Sequence, residues 1–334
     1  MDFPFYQKTL PEPPPSNPVE LPSSRPISEI RPETYRPDDG LVDAVNVALL
    51  LGQPLLLTGE PGTGKTPLAH HVAWQFGLPV LKFETKSDHK AQDLFYIYDA
   101  LRHFHAVQVA QARNQDTPNA KDYLKYTALG KAIILANDEE KVKPFLPTGF
   151  KHPGKAQRSV VLIDEIDKAP RDFPNDILNE VEHNYFHVPE LDIDDEISVA
   201  DERFKPILIL TSNSEKHLPA AFLRRCVYYN IPFPTREILS QIVEKRLGQI
   251  AKHSSELLND ALDLFFELRN QLKEKPATAK LLNWLKTLHQ MFKGRNTEYR
   301  YPDDLARTLS TLVTNTDDQE LAKDIFEDWL KNKG

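Results

Sequence analysis

Residues 59–66 read Gly-Glu-Pro-Gly-Thr-Gly-Lys-Thr, and an apolar run, Leu55-Leu56-Leu57, comes just before them. The octet fits the phosphate-binding pattern G-x-x-x-x-G-K-[ST], and the apolar run predicts a strand that is buried on both faces. Glycines let the chain turn sharply, so that backbone N–H groups can converge on phosphate oxygens where the next helix begins. A glycine-rich turn without a ligand is the alternative interpretation. The order strand, loop, helix favours a phosphate site.

The loop residues divide into backbone donors and two side chains with separate roles. Lys65 is expected to reach the β- and γ-phosphates of a nucleotide, and Thr66 to ligate Mg²⁺ through its hydroxyl. The other residues expected to surround the phosphates are Gly59, Glu60, Pro61, Gly62, Thr63 and Gly64.

A second motif lies about a hundred residues further on, where the apolar run 160–163 ends in the carboxylates Asp164 and Glu165. The carboxyl end of a strand is the edge at which open α/β sheets bind ligands. Asp164 is expected to hold Mg²⁺ through water, and Glu165 to polarise the water that attacks the γ-phosphate. Such a pair alone often marks only a solvated strand end. Together with the phosphate loop, it predicts a nucleoside triphosphatase.

Composition restricts the classes of protein that this chain can belong to. The formal net charge of −8 over 334 residues argues against a protein whose main task is to bind nucleic-acid backbones. One cysteine, Cys226, cannot form an intramolecular disulfide, which suits a reducing cytoplasm. The first residues lack a basic and then apolar leader, and no stretch approaches the roughly 20 apolar residues of a membrane span. We therefore expect a cytoplasmic protein without a membrane span.

The chain is predicted to contain an arm and two domains. Prolines dominate the first residues, so residues 1–35 should form an extended arm, which packs on a domain, packs on a neighbouring subunit or is disordered. Residues 36–232 alternate short apolar runs with helical patterns, which is typical of an α/β nucleotide-binding domain. From 233 to 334 the pattern is helical and predicts a second, smaller domain.

Two long inserts are expected in the α/β domain. Residues 85–158 are too many for a plain loop and contain predicted helices over 100–112 and 123–136. Their aromatic residues Phe95, Tyr96 and Tyr98 form either a local core or a surface that faces a substrate. A hairpin is predicted over about 185–205, with an acidic turn that includes Asp192 and Asp194.

Five segments together resemble the AAA+ ATPase superfamily, and within it the MoxR group and its dynein-related neighbours. They are residues 59–66, 160–168, 211–213, 218–226 and 275–285. The first two occur in many P-loop NTPases, and the other three, in this order, make the resemblance specific. It implies a doubly wound parallel α/β sheet of strand order 5-1-4-3-2, followed by a small C-terminal helical lid domain.

The resemblance also implies roles for residues outside the two motifs. Asn213 takes the place of the first sensor, the residue that follows the fourth strand. Arg224 and Arg225 both stand near the arginine that acts on a neighbouring subunit's nucleotide; Arg225 matches the usual spacing better, and either can instead pair with a carboxylate. Lys280 lies near the second sensor, which is commonly arginine. A lysine there can contact a phosphate but loses the bidentate grip.

In function, the resemblance implies hydrolysis of ATP with Mg²⁺ by a ring, a hexamer in this group, that remodels a protein partner in a chaperone-like way. For the MoxR group, that partner is expected to carry a von Willebrand A-type domain. One alternative is a slow nucleotide-dependent switch or scaffold. Another is a nucleic-acid-associated motor of a restriction or defence system, which the basic residues within 141–155 favour and the acidic net charge disfavours.

Overall fold

The computed structural model describes residues 31–191, 193, 195–214, 218–248, 255–292 and 301–333. These residues form two compact units, one of residues 31–232 and one from residue 233 onward. The predicted proline-rich arm, except for residues 31–35, lies outside the described residues, as do Asp192 and Asp194 of the predicted acidic turn.

The first unit is built on a parallel sheet of five strands. In chain order the strands of this unit are β1 (Leu55–Thr58), β2 (Val80–Glu84), β3 (Tyr96–Tyr98), β4 (Leu124–Tyr126), β5 (Val160–Asp164), β6 (Tyr185–Phe186), β7 (Ile197–Ser198), β8 (Ile207–Thr211) and β9 (Val227–Asn230). The large sheet has the order β2-β5-β8-β1-β9, and every neighbouring pair is parallel. Numbered among these five strands alone, the order is 5-1-4-3-2, so the predicted fold class is confirmed.

The position of each strand in the sheet follows from its composition. The central strands β1 and β5 are buried at every residue, because a parallel sheet that is covered on both faces needs near-continuous apolar runs. At one edge, β2 buries Phe83 and exposes Lys82 and Glu84, so it presents charged side chains next to the carboxyl end of β5.

Helices cover both faces of the sheet. The helices of this unit are α1 (Asp39–Leu51), α2 (Lys65–Phe76), α3 (Ala100–Ala112), α4 (Ala128–Leu135), α5 (Glu139–Val142), α6 (Phe173–Asp176), α7 (Leu178–His183) and α8 (Ala220–Leu223). Helices α1 and α2 pack with Leu162 and Ile209 on one face. Helix α4 packs with Val161 and Ile163 on the other. Successive residues of a strand point to opposite faces, which accounts for this division.

The first insert contains a small antiparallel sheet that the sequence interpretation missed. Strands β3 and β4 pair with Tyr96 opposite Tyr126, and α3 lies between them in sequence. The predicted helix over 123–136 is therefore wrong in its first part and begins at Ala128. In residues 124–126 the burial alternates, which is the period of a strand. Phe95 and Tyr96 are buried, and the ring centroids of Phe95 and Phe186 lie 5.4 Å apart in a stacked arrangement. Phe95 and Tyr96 therefore belong to a local core.

The second unit is helical throughout its described residues. Its helices are α9 (Arg236–Leu247), α10 (Ser255–Gln271), α11 (Thr278–Phe292), α12 (Tyr301–Thr308) and α13 (Thr316–Lys333). Its core surrounds Trp284, which is fully buried and donates from Nε1 to Thr308 Oγ1 over 2.7 Å. In the part of the chain that the structure describes, no helix is both long enough and apolar enough to cross a membrane.

Candidate nucleotide-binding site

The predicted phosphate loop connects β1 to α2, and its path depends on glycine residues, among them Gly59 and Gly64. Gly59 has φ 140°, and a Cβ atom there would lie 2.5 Å from the carbonyl oxygen of Ile231. Gly64 has φ 99°, and a Cβ atom would lie 3.0 Å from the ring of Tyr35. Residues other than glycine rarely adopt these conformations, so both positions require glycine for the loop to curve as it does.

The lysine of the loop is turned into the curve of its own backbone. Lys65 Nζ donates to the carbonyl oxygens of Gly59 at 2.7 Å and Glu60 at 3.0 Å. Lys65 is buried, and this burial lowers the pKa of its ammonium group, while the nearby carboxylates of Asp167 and Asp164 act in the opposite direction. A phosphate is a stronger acceptor for this cation than a carbonyl, so the ammonium group is well placed to receive one.

Two oxygen groups meet where α2 begins and β5 ends. Thr66 Oγ1 donates to Asp164 Oδ1 over 2.8 Å, although the two residues are 98 positions apart in the sequence. A hydroxyl and a carboxylate beside a phosphate loop fit Mg²⁺, which typically takes one or two protein oxygens and completes its shell with water and phosphate. Among the described residues, no three His, Cys, Asp or Glu side chains form a metal site on their own. The donor set therefore fits Mg²⁺ bound together with a nucleotide.

Asp164 is fixed by two further residues that the sequence interpretation did not single out. Thr211 Oγ1 donates to Asp164 Oδ1 over 2.7 Å, and Lys82 Nζ lies 2.9 Å from Oδ2. Burial alone would raise the pKa of Asp164, but the hydrogen bonds from Lys82, Thr211 and Thr66 outweigh it and hold the pKa below its usual value. A lysine two residues from the end of a short strand is the one signal that could have pointed to Lys82.

Glu165 sits in a turn that only a few residue types adopt readily. Its φ is 57°, and its backbone N–H donates to Thr211 Oγ1 at 2.9 Å. Left-handed backbone in a residue other than glycine is uncommon and often marks functional sites. The Glu165 carboxylate pairs with Lys168 Nζ at 2.5 Å, and both side chains are partly exposed.

Asn213 lies beside the same turn. Its backbone N–H donates to Asp167 Oδ1 at 3.2 Å, and its side chain is exposed. Because β8 lies between β5 and β1 in the sheet, the segment after β8 comes close to both the carboxylate turn and the phosphate loop. The structure therefore brings together the loop 59–66, Asp164, Glu165 and Asn213.

The two candidate arginines differ in their contacts. Arg225 Nε pairs with Glu182 Oε2 at 2.7 Å, and Arg225 Nη1 donates to the carbonyl oxygen of Ala221 at 3.2 Å. Arg224 is exposed, and its side chain forms no hydrogen bond or ion pair with any residue that the structure describes. Neither guanidinium group is bonded to the phosphate loop of its own chain.

Lys280 belongs to the helical unit and has a partner there. Its Nζ donates to the carbonyl oxygen of Leu312 over 3.2 Å, and burial lowers the pKa of the ammonium group. In this conformation the Lys280 side chain is engaged within its own unit.

Comparison with known proteins identifies the family. Residues 54–226 match the family described as the AAA domain of the dynein-related subfamily. No curated protein sequence matches the chain significantly.

Solved structures offer distant similarities. One is a point mutant of RuvB from Thermotoga maritima, with 15% identity, a TM-score of 0.48, and coverage of 89% of this chain and 75% of that one. Another is the Thermotoga maritima RuvB Holliday junction branch migration motor, with 16% identity, a TM-score of 0.45, and coverage of 84% and 69%. The family match confirms the predicted resemblance to the AAA+ superfamily and its dynein-related members. Since the matched segment 54–226 spans just over half of the 334 residues, this chain belongs to the dynein-related subfamily of AAA domains.

Proposed function

We propose that the protein binds ATP with Mg²⁺ at residues 59–66 and hydrolyses it. The observation that carries this proposal is the 2.8 Å hydrogen bond between Thr66 Oγ1 and Asp164 Oδ1, next to a glycine loop that encloses the Lys65 ammonium group. Mg²⁺, when bound, neutralises charge on the β- and γ-phosphates and polarises them toward attack.

The chain's own residues account for binding and for the proton transfer. Lys65 exchanges its two carbonyl partners for phosphate oxygens, and the N–H groups of the loop direct their dipoles at the same phosphates. Glu165 then accepts a proton from the attacking water as the new bond to the γ-phosphorus forms and the bond to the bridging oxygen breaks. Asn213 would orient that water through its exposed side-chain amide.

Glu165 must change partner before it can act as a base. Its carboxylate is paired with Lys168 at 2.5 Å, and this ion pair lies at the surface. Water screens ion pairs at the surface and makes them weak, so binding of a substrate can readily replace the contact.

The active assembly is proposed to be a ring, of six subunits in the MoxR-like interpretation. A head-to-tail interface that closes on itself gives a ring and can place a residue of one subunit at the nucleotide of the next. Arg224 is the better candidate for this role in trans, because Arg225 is already paired with Glu182. A planar guanidinium group that stays charged suits the stabilisation of a transferring phosphoryl group.

The work performed by this ring is proposed to be the remodelling or activation of a protein partner. The family membership supports an ATP-driven change of shape, and the resemblance to the MoxR group supports a partner with a von Willebrand A-type domain. Lys280 is proposed as the second sensor, which requires it to leave the carbonyl oxygen of Leu312 when nucleotide binds.

The first experiment is ATP hydrolysis per protomer with Mg²⁺ over a wide range of protein concentration. A rate that rises and saturates supports sites that are completed between subunits. Glu165→Gln should retain ATP binding and lose turnover, whereas Lys65→Ala should lose binding. A rate that stays flat and near zero, with ATP bound, would support the slow switch instead. Absence of ATP binding to the wild type would contradict the proposal.

A further inference from the structure

Lys82 reaches the candidate magnesium site from the edge of the sheet. In the pairing of β2 with β5, Glu84 lies opposite Asp164 and Lys82 lies opposite Leu162. Lys82 lies on the α2 side of the sheet, as its neighbour Leu162 does. Residues two apart in a strand share a face, so Lys82 lies on the same face as Glu84, two residues before the carboxyl end of β2. From there its Nζ comes within 2.9 Å of Asp164 Oδ2 and 3.8 Å of Glu84 Oε2.

The two carboxylates beside Lys82 differ in their access to water. The side chain of Asp164 is 10% exposed, and that of Glu84 is 67% exposed. A buried carboxylate without a counter-ion is costly, while an exposed one is well solvated. Lys82 therefore acts mainly as the partner of Asp164.

The two oxygens of Asp164 have separate partners. Oδ1 accepts hydrogen bonds from Thr66 and Thr211, both of which can persist when the Thr66 oxygen also faces a metal. Oδ2 forms an ion pair with the Lys82 ammonium group. This cation therefore occupies a position beside Asp164 from which a divalent ion would otherwise interact with the carboxylate.

We propose that Lys82 is a built-in counter-ion for Asp164 that allows the site to accept ATP before Mg²⁺ and that competes with Mg²⁺ for this carboxylate. The inference rests on the proposed function. Without Lys82, the triphosphate would approach an unbalanced buried carboxylate. With Lys82, the Asp164 charge is compensated until Mg²⁺ takes over the same task. Lys82 is thus a positioning residue that sets how strongly nucleotide binding depends on magnesium.

The test is the dissociation constant of a fluorescent ATP analogue with EDTA and with Mg²⁺, for wild type, Lys82→Met and Lys82→Arg. We expect Lys82→Met to raise the ratio of the EDTA value to the Mg²⁺ value by about tenfold or more, because the uncompensated charge of Asp164 repels the triphosphate when Mg²⁺ is absent. Lys82→Arg should resemble wild type. Lys86→Met is the matched control, since it removes a nearby exposed lysine that has no ion pair with a described residue.

An unchanged ratio in Lys82→Met would overturn this inference and leave the proposed ATP binding intact. If wild type binds no nucleotide with either EDTA or Mg²⁺, the proposed function fails and this inference fails with it. Should Lys82→Met not fold, labelling of the Lys82 amine with acetic anhydride in wild type decides. Labelling should be faster with ATP and Mg²⁺ than with ATP and EDTA, and equal rates would contradict the competition.

Discussion

The hydroxyl group of Thr211 donates a hydrogen bond to Asp164 Oδ1 over 2.7 Å. The hydroxyl oxygen of Thr211 also accepts a hydrogen bond from the backbone N–H of Glu165 at 2.9 Å. One buried side chain at the end of β8 therefore positions both carboxylate residues at the end of β5. A change at the segment that follows β8 can reach the candidate metal and base positions through this single side chain.

Replacement of Thr211 by valine keeps the shape of the side chain and removes both bonds. We expect Thr211→Val to lower the free energy of unfolding by about 1–3 kcal/mol, because the Asp164 carboxylate loses one of its donors and the half-buried N–H of Glu165 loses its acceptor. It should also reduce the rate of ATP hydrolysis more than the affinity for ATP. Urea unfolding and steady-state kinetics measure these effects.

Thr85→Val is the matched control for this prediction. Thr85 is equally buried and lies just after β2, but its hydroxyl has no hydrogen-bond partner among the described residues. Thr85→Val should lower the free energy of unfolding by no more than about 0.5 kcal/mol, or should raise it. Equal losses in the two variants would show that the Thr211 bonds are not the cause.

Single substitutions should distinguish the roles of Arg224 and Arg225. Arg224→Ala is expected to lower turnover by about 10³-fold or more, with the dissociation constant for ATP within about twofold of wild type, if its guanidinium group acts across subunits. Arg225→Ala should change the free energy of unfolding little, since its pair with Glu182 is exposed and screened by water. If Arg225→Ala loses turnover and Arg224→Ala retains it, the role across subunits belongs to Arg225. Glu182→Gln isolates the effect of the ion pair.

Gly59 should be irreplaceable for the shape of the loop. In Gly59→Ala, backbone strain of about 1–3 kcal/mol adds to the overlap of the new Cβ with the carbonyl oxygen of Ile231. We expect loss of ATP binding together with a lower melting temperature. Gly77→Ala is the control, because Gly77 also has positive φ, at +65°, but open space around it. That variant should cost about 1 kcal/mol and still bind ATP.

His70 should make stability depend on pH near neutrality. Burial lowers the pKa of His70 and the charge of Lys82 lowers it further, while the Asp164 carboxylate acts in the opposite direction with a smaller effect. The unfolded chain therefore takes up a proton at His70 at a higher pH than the folded chain does. Stability contributed by the neutral ring is fully present above the usual pKa of about 6.5 and is lost as the pH falls below that value.

The difference in unfolding free energy between wild type and His70→Gln tests this prediction. It should be constant above about pH 7.5 and move against wild type as the pH falls from about 6.5 toward about 5.5. The slope of this difference against pH should be smaller than the slope that uptake of one full proton would give. A difference that does not change with pH would exclude His70 as a contributor.

Contiguous motifs in the sequence were enough to locate most of the candidate site, and the strand order followed from the family resemblance that they support. The loop 59–66 and the run 160–165 are each unbroken, so the chemistry of each can be inferred from neighbours in the chain. The helical pattern over 100–112 was likewise sufficient, and α3 has those bounds. The short strand β4 was missed because alternation over three residues is too brief to compete with a neighbouring helical pattern.

By itself, the sequence determined which residues carry the phosphate loop and the two carboxylates, because sharp turns and charged strand ends are encoded by adjacent residue types. Only the tertiary structure decided the distant partners of Asp164 and of Arg225, which are Lys82 and Thr211 for Asp164, and Glu182 for Arg225. The Lys82 and Thr211 contacts depend on strands that are distant in the chain and adjacent in the sheet. The Glu182 contact depends on a helix that lies 43 residues earlier in the chain than Arg225. Hydrogen bonds and ion pairs act over a few Å in space, whatever the separation in sequence.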